Sequence, residues 1–292
     1  MSADKRKYGV LAGNNYGKSR VRVVQVTRAA ERHELKELTV NIQLRGDFEE
    51  AHTQGDNSKI LPTDTMKNTV YALARLYKVE DLEEFGMRLA EHFMEHNPQV
   101  SETRIELLEH PWTRMTVRGR PHNHSFLSGG NERRTAVVTA TRQATTLQTT
   151  TVEAGIQDLL VLKTTGSAFE GFLKDPLTTL KETSDRIFST LVTARWTYRG
   201  AEVPYGLCYT GIRQLLLDTF ADHQSKSVQQ TLYAMGEQVL TLHEQVSEIS
   251  LSLPNKHCLL VNLEPFGMDN PNAVFVPTDE PHGLIEATLK RA

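Results

Sequence analysis

The chain has 292 residues, of which 39% are apolar and 24% charged, and its formal net charge is −3. That composition suits one large or two ordinary domains with a substantial core. A charge so near neutrality leaves no footprint for nucleic acid or an acidic membrane surface, and no stretch approaches the ~20 apolar residues of a membrane span.

Cys208 and Cys258 lie far apart and make neither a CxxC nor a disulfide framework, which fits a reducing compartment. The N-terminal residues are charged and lack an apolar h-region, and the chain ends Leu-Lys-Arg-Ala rather than Ser-Lys-Leu. A cytoplasmic location is the expectation.

Residues 1–15 read as a flexible terminus. Ala12 to Ser19, AGNNYGKS, fits a relaxed phosphate-loop pattern. A true phosphate loop follows a strand and opens a helix. Here the segment follows a polar terminus and opens the β-branched run Arg20–Thr27, so nucleotide triphosphate binding is rejected. A lysine at such a strand opening, Lys18, is ordinarily a solvated one. The next strand, Leu38–Arg45, alternates: Leu38, Val40, Ile42 and Leu44 share one face and Thr39, Asn41, Gln43 and Arg45 the other, the pattern of an antiparallel sheet with one wet side.

Gly55–Ala74 follows, with a polar turn, the short apolar run Ile60-Leu61-Pro62, and then Thr63-Asp64-Thr65 opening a helix with a Met66, Val70, Leu73, Tyr77 stripe. Thr or Asp at that place is N-cap chemistry. The unpaired first-turn N–H groups also suit an anionic or carbonyl-bearing ligand. A second helix carries Leu82, Phe85, Leu89 and Phe93, and strand-like segments follow at Thr103–Glu109 and Thr135–Thr139. Between them His122 and His124 form an H-x-H pair with no third ligand in register, too little for a metal site. Thr141–Thr151 reads as a polar loop or boundary.

The second half repeats the order. Leu159–Leu162 is a strand, and Val192–Arg199 alternates again. Two helices carry Ile212, Leu215, Leu216, Phe220 and Leu232, Met235, Val239, Leu242. The closing strands are Glu248–Leu253 and His257–Leu263. The halves share architecture without convincing residue identity. This order predicts an α+β fold with helices on one face of an antiparallel sheet. Closing the sheet into an oligomeric barrel would cover its edges and use its wet faces to line a tunnel.

Several further segments offer chemistry. Phe169 lies among glycines, on a loop, where it would be a local packing anchor or a stacking platform for a flat ligand. Arg186 is by default an ion-pair partner of Asp185 or Glu182, but a planar guanidinium also suits a carbonyl edge. Ser227-Val228-Gln229-Gln230 is an S-x-x-Q capping box that puts the Val228 and Gln229 N–H groups in a helix's first turn. Asn255 and His257, in Leu-Pro-Asn-Lys-His, precede a strand.

Taken together, these segments resemble the uricase (urate oxidase) family, bacterial type. The resemblance is carried by Tyr16-Gly-Lys18, by Asp-Asn-Ser through Thr63-Asp64 to Lys-Asn-Thr, by Phe169 ahead of Gly-Phe-Leu, by Thr-Leu-Lys-Glu-Thr before Asp-Arg186, by Ser-Val228-Gln229 and by Ser-Leu-Pro-Asn255-Lys-His257. It implies the tunnelling fold, with two ββααββ units at 16–145 and 146–285, a C-terminal tail at 286–292, and a homotetramer with sites at subunit interfaces. It further implies cofactor-free oxidation of urate by dioxygen, with no metal.

Lys18, Thr63 and His257 would form a proton relay. Arg186 and Gln229 would clamp the substrate, with the Thr63, Asp64 and Val228 groups adding contacts, Phe169 stacking, and Asn255 holding dioxygen or water. The alternatives are a zinc-dependent tunnelling-fold purine or pterin enzyme, which needs three His or Cys ligands, and a non-catalytic purine-binding module.

Overall fold

The computed structural model describes residues 9–143, 146–200 and 202–292. Residues 1–8 of the expected N-terminal segment lie outside the described residues, and 9–15 carry no regular element. Two compact units emerge: residues through Ser128 with Ala136–Val152, and Gly129–Thr135 with Glu153–Ala292. No helix among the described residues is long and apolar enough to cross a membrane.

In the first unit, β1 (Tyr16–Arg28) and β2 (His33–Gly46) form an antiparallel pair, followed by the short α1 (Glu49–Thr53), α2 (Thr63–Leu76) and α3 (Leu82–His96). β3 (Val100–His110) returns beside β2, a hairpin of β4 (Trp112–Val117) and β5 (Arg120–Ser128) stands apart as its own two-stranded sheet, and β6 (Arg133–Gln143) joins β3. The alternation in β2 decides its orientation. Leu38, Val40, Ile42 and Leu44 are buried, and so are the facing helix stripes Met66, Val70, Leu73 and Leu82, Phe85, Leu89, Phe93. A one-residue slip would turn all four β2 side chains to water, so the register is strongly specified.

In the second unit, β7 (Thr146–Lys163) pairs with β8 (Phe188–Tyr198), and α4 (Tyr205–Asp222) and α5 (Val228–Leu242) follow. Val192, Ala194 and Trp196 are buried against Ile212, Leu216, Leu232, Met235 and Val239. β9 (Val246–Ser252) pairs with β8 on one side and on the other with β12 (Glu286–Lys290). β10 (Asn255–Leu260) starts beside β8 and continues as an antiparallel arm with β11 (Phe275–Gly283).

Several expectations are corrected. Residues 286–292, read as a tail, supply the fourth strand of the unit, while the segment at His257–Leu263 belongs to the β10–β11 arm. Thr141–Thr151 is mostly strand, with β6 running to Gln143 and β7 starting at Thr146; residues 144 and 145 lie outside the described residues. Tyr77 ends α2 exposed, with the Arg88 guanidinium 4.4 Å above its ring, and Leu242 is 63% exposed while Leu240 takes the buried place. Finally, α2 is not capped by Thr63 or Asp64. Pro62 holds the N-cap position at φ −56° and ψ 137°, with no side-chain cap, and Thr63 is the first helical residue. The proline ring already presets the φ of the turn into the helix.

The two units correspond residue by residue where the sequence shows little identity. In β1 the register shifts between Lys18 and Val21, with Arg20 at φ 58°; in β7 it shifts between Ile156 and Leu159, with Asp158 at φ 59°. A Cβ on Gly17 would sit 1.8 Å from the Ile42 carbonyl oxygen, and one on Gly155 2.5 Å from that of Ala194. Ile156 therefore stands where the first unit has Lys18. At the far end, the Ser101 hydroxyl donates to the Arg45 carbonyl at 3.3 Å, and the Ser247 hydroxyl to the Thr197 carbonyl at 3.1 Å. Arg142 binds the Met94 and Val100 carbonyls as Arg291 binds those of Leu240 and Val246. Each arginine thus meets the last carbonyls of a helix, where a cation is favoured.

Candidate active site

The first unit gathers Lys18, Thr63 and Asp64. Lys18 sits opposite Ile42 at the edge of a bulge, and the Arg20 amide within that bulge donates to Asn41 Oδ1 at 2.7 Å. Bulges re-aim side chains and are favoured next to active sites. Gly17, Lys18 and Ser19 all lie within β1, which among the described residues no strand precedes and no helix directly follows, so the phosphate-loop pattern has the wrong context.

The segment leading to Thr63 is fastened at several points. The Asp56 carboxylate accepts the Ser58 amide at 2.9 Å, and Lys59 pairs with Asp47 at 2.6 Å and Glu50 at 2.7 Å, first of all through the Asp47 hydrogen bond holding its ammonium above the ordinary range. The Leu61 amide donates to the Tyr16 hydroxyl at 2.8 Å.

The Asp64 carboxylate turns back along its own helix to Lys67 and, at 2.9 Å, Asn68. These bonds, Lys67 first, hold it below its usual range, and the Lys18 charge adds a smaller pull in the same direction. The Asp64 backbone amide lies in the first turn of α2, where N–H groups lack intrahelical partners. Pro62 rather than Thr63 holds the N-cap position, so the Thr63 hydroxyl does not cap α2.

The second unit gathers Phe169, Arg186, Val228 and Gln229 through a hydrogen-bonded web. Phe169 and Thr183 exchange backbone bonds of 2.8 and 3.1 Å across an isolated bridge. Asp185 accepts from the Thr165 hydroxyl at 2.7 Å and the Gly166 amide at 2.8 Å, and is held below its ordinary range chiefly by the Thr165 bond. Ser225 ties this loop to α5: its carbonyl takes the Ala168 amide at 2.7 Å, its amide reaches the Gly166 carbonyl at 3.0 Å, and its hydroxyl accepts from Thr231 at 2.8 Å.

Half of the capping box forms as read, with the Gln230 amide on the Ser227 hydroxyl at 3.2 Å; the Gln230 side chain returns one residue further back, to the Lys226 amide at 2.9 Å. Val228 is buried and Gln229 exposed at the start of the helix.

Arg186 does not take its default ion pair. Glu182 is paired with Lys174 at 2.9 Å and Asp185 is occupied as above, while the Arg186 guanidinium lies 5.4 Å from the centroid of Phe169. Phe169 is itself stacked on Phe172 at 4.9 Å and 13°. Burial pushes the Arg186 guanidinium below its ordinary value.

Asn255 opens β10 opposite Thr190 of β8, four residues beyond Arg186, and His257 lies past a register shift, opposite Thr278 in the arm. An open hollow on the polar sheet face, lined by Thr193, Arg195, Ser250, Ser252, Glu286 and Thr288, contains none of the expected site residues. His122 and His124 are neighbours on β5 with ring centroids 4.6 Å apart, and among the described residues no group of three or more His, Cys, Asp or Glu side chains is placed to hold a metal.

Sequence reasoning gave no supporting role to Ser225 or Asn41 and read Asp185 only as an ion-pair partner; their bonds to backbone and neighbouring polar groups carry no motif of their own.

The family model for uricase matches residues 14–139 and 152–286, a span that includes every residue of both groups. The chain belongs to the uricase family. The uricase of Arthrobacter globiformis is 49% identical over 284 residues, covering 97% of this chain and 90% of that one, and the uricase of Dictyostelium discoideum is 41% identical, covering 97% and 98%. The crystal structure of the Arthrobacter globiformis uricase superposes with a TM-score of 0.91 at 48% identity, covering 98% of this chain and 96% of that one. The fold is thus the α+β tunnelling fold of the uricases. The break in the family match, 140–151, falls on the polar Thr141–Thr151 stretch, where β6 ends and β7 begins.

Proposed function

We propose that the chain is a urate oxidase in which urate, dioxygen and water become 5-hydroxyisourate and hydrogen peroxide, without a metal or organic cofactor. Beyond the family relationship, the observation that carries this reading is Arg186, a guanidinium beside an aromatic face with the neighbouring carboxylates engaged elsewhere. A flat, carbonyl-edged anion fits that arrangement. Phe169 would stack on the rings, an offset contact worth about 0.5–1.5 kcal/mol beyond burial. Arg186 and Gln229 would grip one edge bidentately, and the Val228 and Asp64 backbone groups would meet the rest.

The chemistry needs proton handling as well as grip. Urate is an electron-rich anion, and removal of a further proton eases loss of one electron. Recombination of the resulting radicals then avoids the spin barrier to reaction with triplet dioxygen. Lys18, acting through the Thr63 hydroxyl, would take that proton, His257 would complete the relay through water, and Asn255 would hold dioxygen or the attacking water.

Lys18 and Thr63 belong to the first unit, and the clamp residues, with His257, to the second. We place each pocket between neighbouring chains of a homotetramer, one chain giving Lys18 and Thr63 and the other the clamp and His257. Two features support assembly. The β10–β11 arm exposes Leu259, Leu260, Val274, Val276 and Phe266, an apolar surface that calls for cover, and the polar sheet faces suit a tunnel lining. Buried Cys208 and half-buried Cys258, both free, accord with a reducing, cytoplasmic setting.

The test follows urate absorbance and peroxide release in metal-stripped protein. Stoichiometric peroxide at undiminished rate is expected. A requirement for stoichiometric zinc would favour the zinc-dependent alternative, and urate binding without peroxide the non-catalytic one.

A further inference from the structure

The Leu61 amide donates to the Tyr16 phenol, and each of these residues stands two positions short of a proposed proton-handling side chain. Tyr16 is followed by Gly17 and Lys18, and Leu61 by Pro62 and Thr63. Neither intervening residue has slack. Gly17 is wedged against the Ile42 carbonyl oxygen, and Pro62 has its φ fixed by its ring and restricts Leu61 before it. A shift at the Tyr16–Leu61 contact is therefore passed on to Thr63 rather than absorbed.

The phenol is itself well seated. Its ring meets Phe48 edge-on at 4.8 Å and 88°, Phe48 is buried, and Tyr16 stands in register opposite Leu44. The loop's other anchors, Lys59 on Asp47 and Glu50 and Gln99 on the Lys59 carbonyl at 2.8 Å, hold its middle; the Ile60 amide closes a local turn on the Asn57 carbonyl at 3.0 Å, and Tyr16 ties Leu61 to β1. Burial raises the phenol's pKa against the opposing pull of the Leu61 amide, so the group stays neutral in the physiological range and accepts that amide as a hydroxyl.

We propose that Tyr16 is a positioning residue for the oxidation, setting the Thr63 hydroxyl at proton-transfer distance from Lys18 through its bond to the Leu61 amide. The proposal rests on the relay reading above. Tyr16→Phe removes the hydroxyl and keeps the ring, so kcat should fall roughly 10- to 100-fold, the cost of a small misplacement of reacting groups. KM for urate and the affinity of a redox-inert purine analogue should stay within about twofold, because the clamp is untouched. In a Lys18→Met background the same change should cost nothing further, since residues that act as one unit are not additive. Phe48→Leu loosens the ring while leaving the hydroxyl, and should lower Tm but keep kcat within about threefold of wild type.

A Tyr16→Phe kcat within about threefold of wild type overturns the proposal, as does a loss that multiplies in full in the Lys18→Met background. An equal loss in Phe48→Leu overturns it too, because packing rather than the hydroxyl bond would then be responsible. Lys18→Met alone reports on the relay: if it keeps turnover near wild type, the relay reading itself is wrong and Tyr16 has nothing to position.

Discussion

The guanidinium of Arg186 lies over the ring of Phe169, 5.4 Å from its centroid, while Asp185, its neighbour in sequence, spends its carboxylate on Thr165 and Gly166. An arginine beside two acids would ordinarily pair with one of them, at little gain on an exposed surface. Here the acid buttresses the loop, and the cation rests beside the Phe169 ring, which also stacks on Phe172.

Arg186→Ala or Gln229→Ala should weaken urate and redox-inert purine analogues alike, because ground-state contacts are lost. A charged hydrogen bond contributes about 1.5–3 kcal/mol, so roughly ten- to hundredfold in Kd is expected for Arg186→Ala and less for Gln229→Ala. Calorimetric titration with an analogue checks this, and unchanged affinity in both variants would put the substrate elsewhere.

Lys18→Met should bind analogues nearly as wild type while turnover drops about 100-fold or more, the usual contribution of a general base. Thr63→Val should behave similarly, since its hydroxyl is not engaged in capping α2. Steady-state kinetics beside analogue binding separates the two effects, and kcat within about threefold of wild type would remove the residue from the chemistry.

Asp185 makes a prediction in acid. Its carboxyl is held below the ordinary 3.8 by the Thr165 hydroxyl and then by backbone amides of the loop. A carboxyl lower in the folded state contributes stability that is present above the unfolded value and lost as pH falls through the folded one. The Tm advantage of wild type over Asp185→Asn should therefore hold at neutral pH and shrink progressively below pH 3.8. The group is exposed, so the effect is small. A Tm difference that stayed constant down to strong acid would contradict the assignment.

The shared pocket can be tested by complementation. Lys18→Met and Arg186→Ala homo-oligomers should each be nearly inactive. Refolded together, some mixed oligomers would contain one pocket with both defects and another with neither, and activity should return. Confirmed subunit exchange by native mass measurement with no recovery would defeat the two-chain pocket.

Much of this was written locally. The alternation Leu38 to Leu44, the Leu82–Phe93 stripe and the Ser227–Gln230 capping box each depend on neighbours within one element, so periodicity and spacing found them. What escaped depends on distant partners. β12 is five residues long and mostly exposed, and only its ladder with β9 makes it a strand. The bulge beside Lys18 exists through Asn41 on the next strand. The start of α2 was misassigned because Thr-Asp-Thr has cap chemistry, while the proline before it had already fixed the turn. The proposed site residues stood out chiefly through family resemblance; spacing alone left each with an ordinary alternative.

The paired bulges have a consequence for how the chain could acquire its chemistry. Lys18 and Ile156 stand on the same kink, held by the same glycine approach and the same left-handed residue two positions on. The kink therefore does not depend on the amine it displays. A doubled scaffold of this sort separates architecture from reactivity: one copy can keep the shape as bare carpentry while the other is free to specialise, and neither has to unfold for the two to diverge.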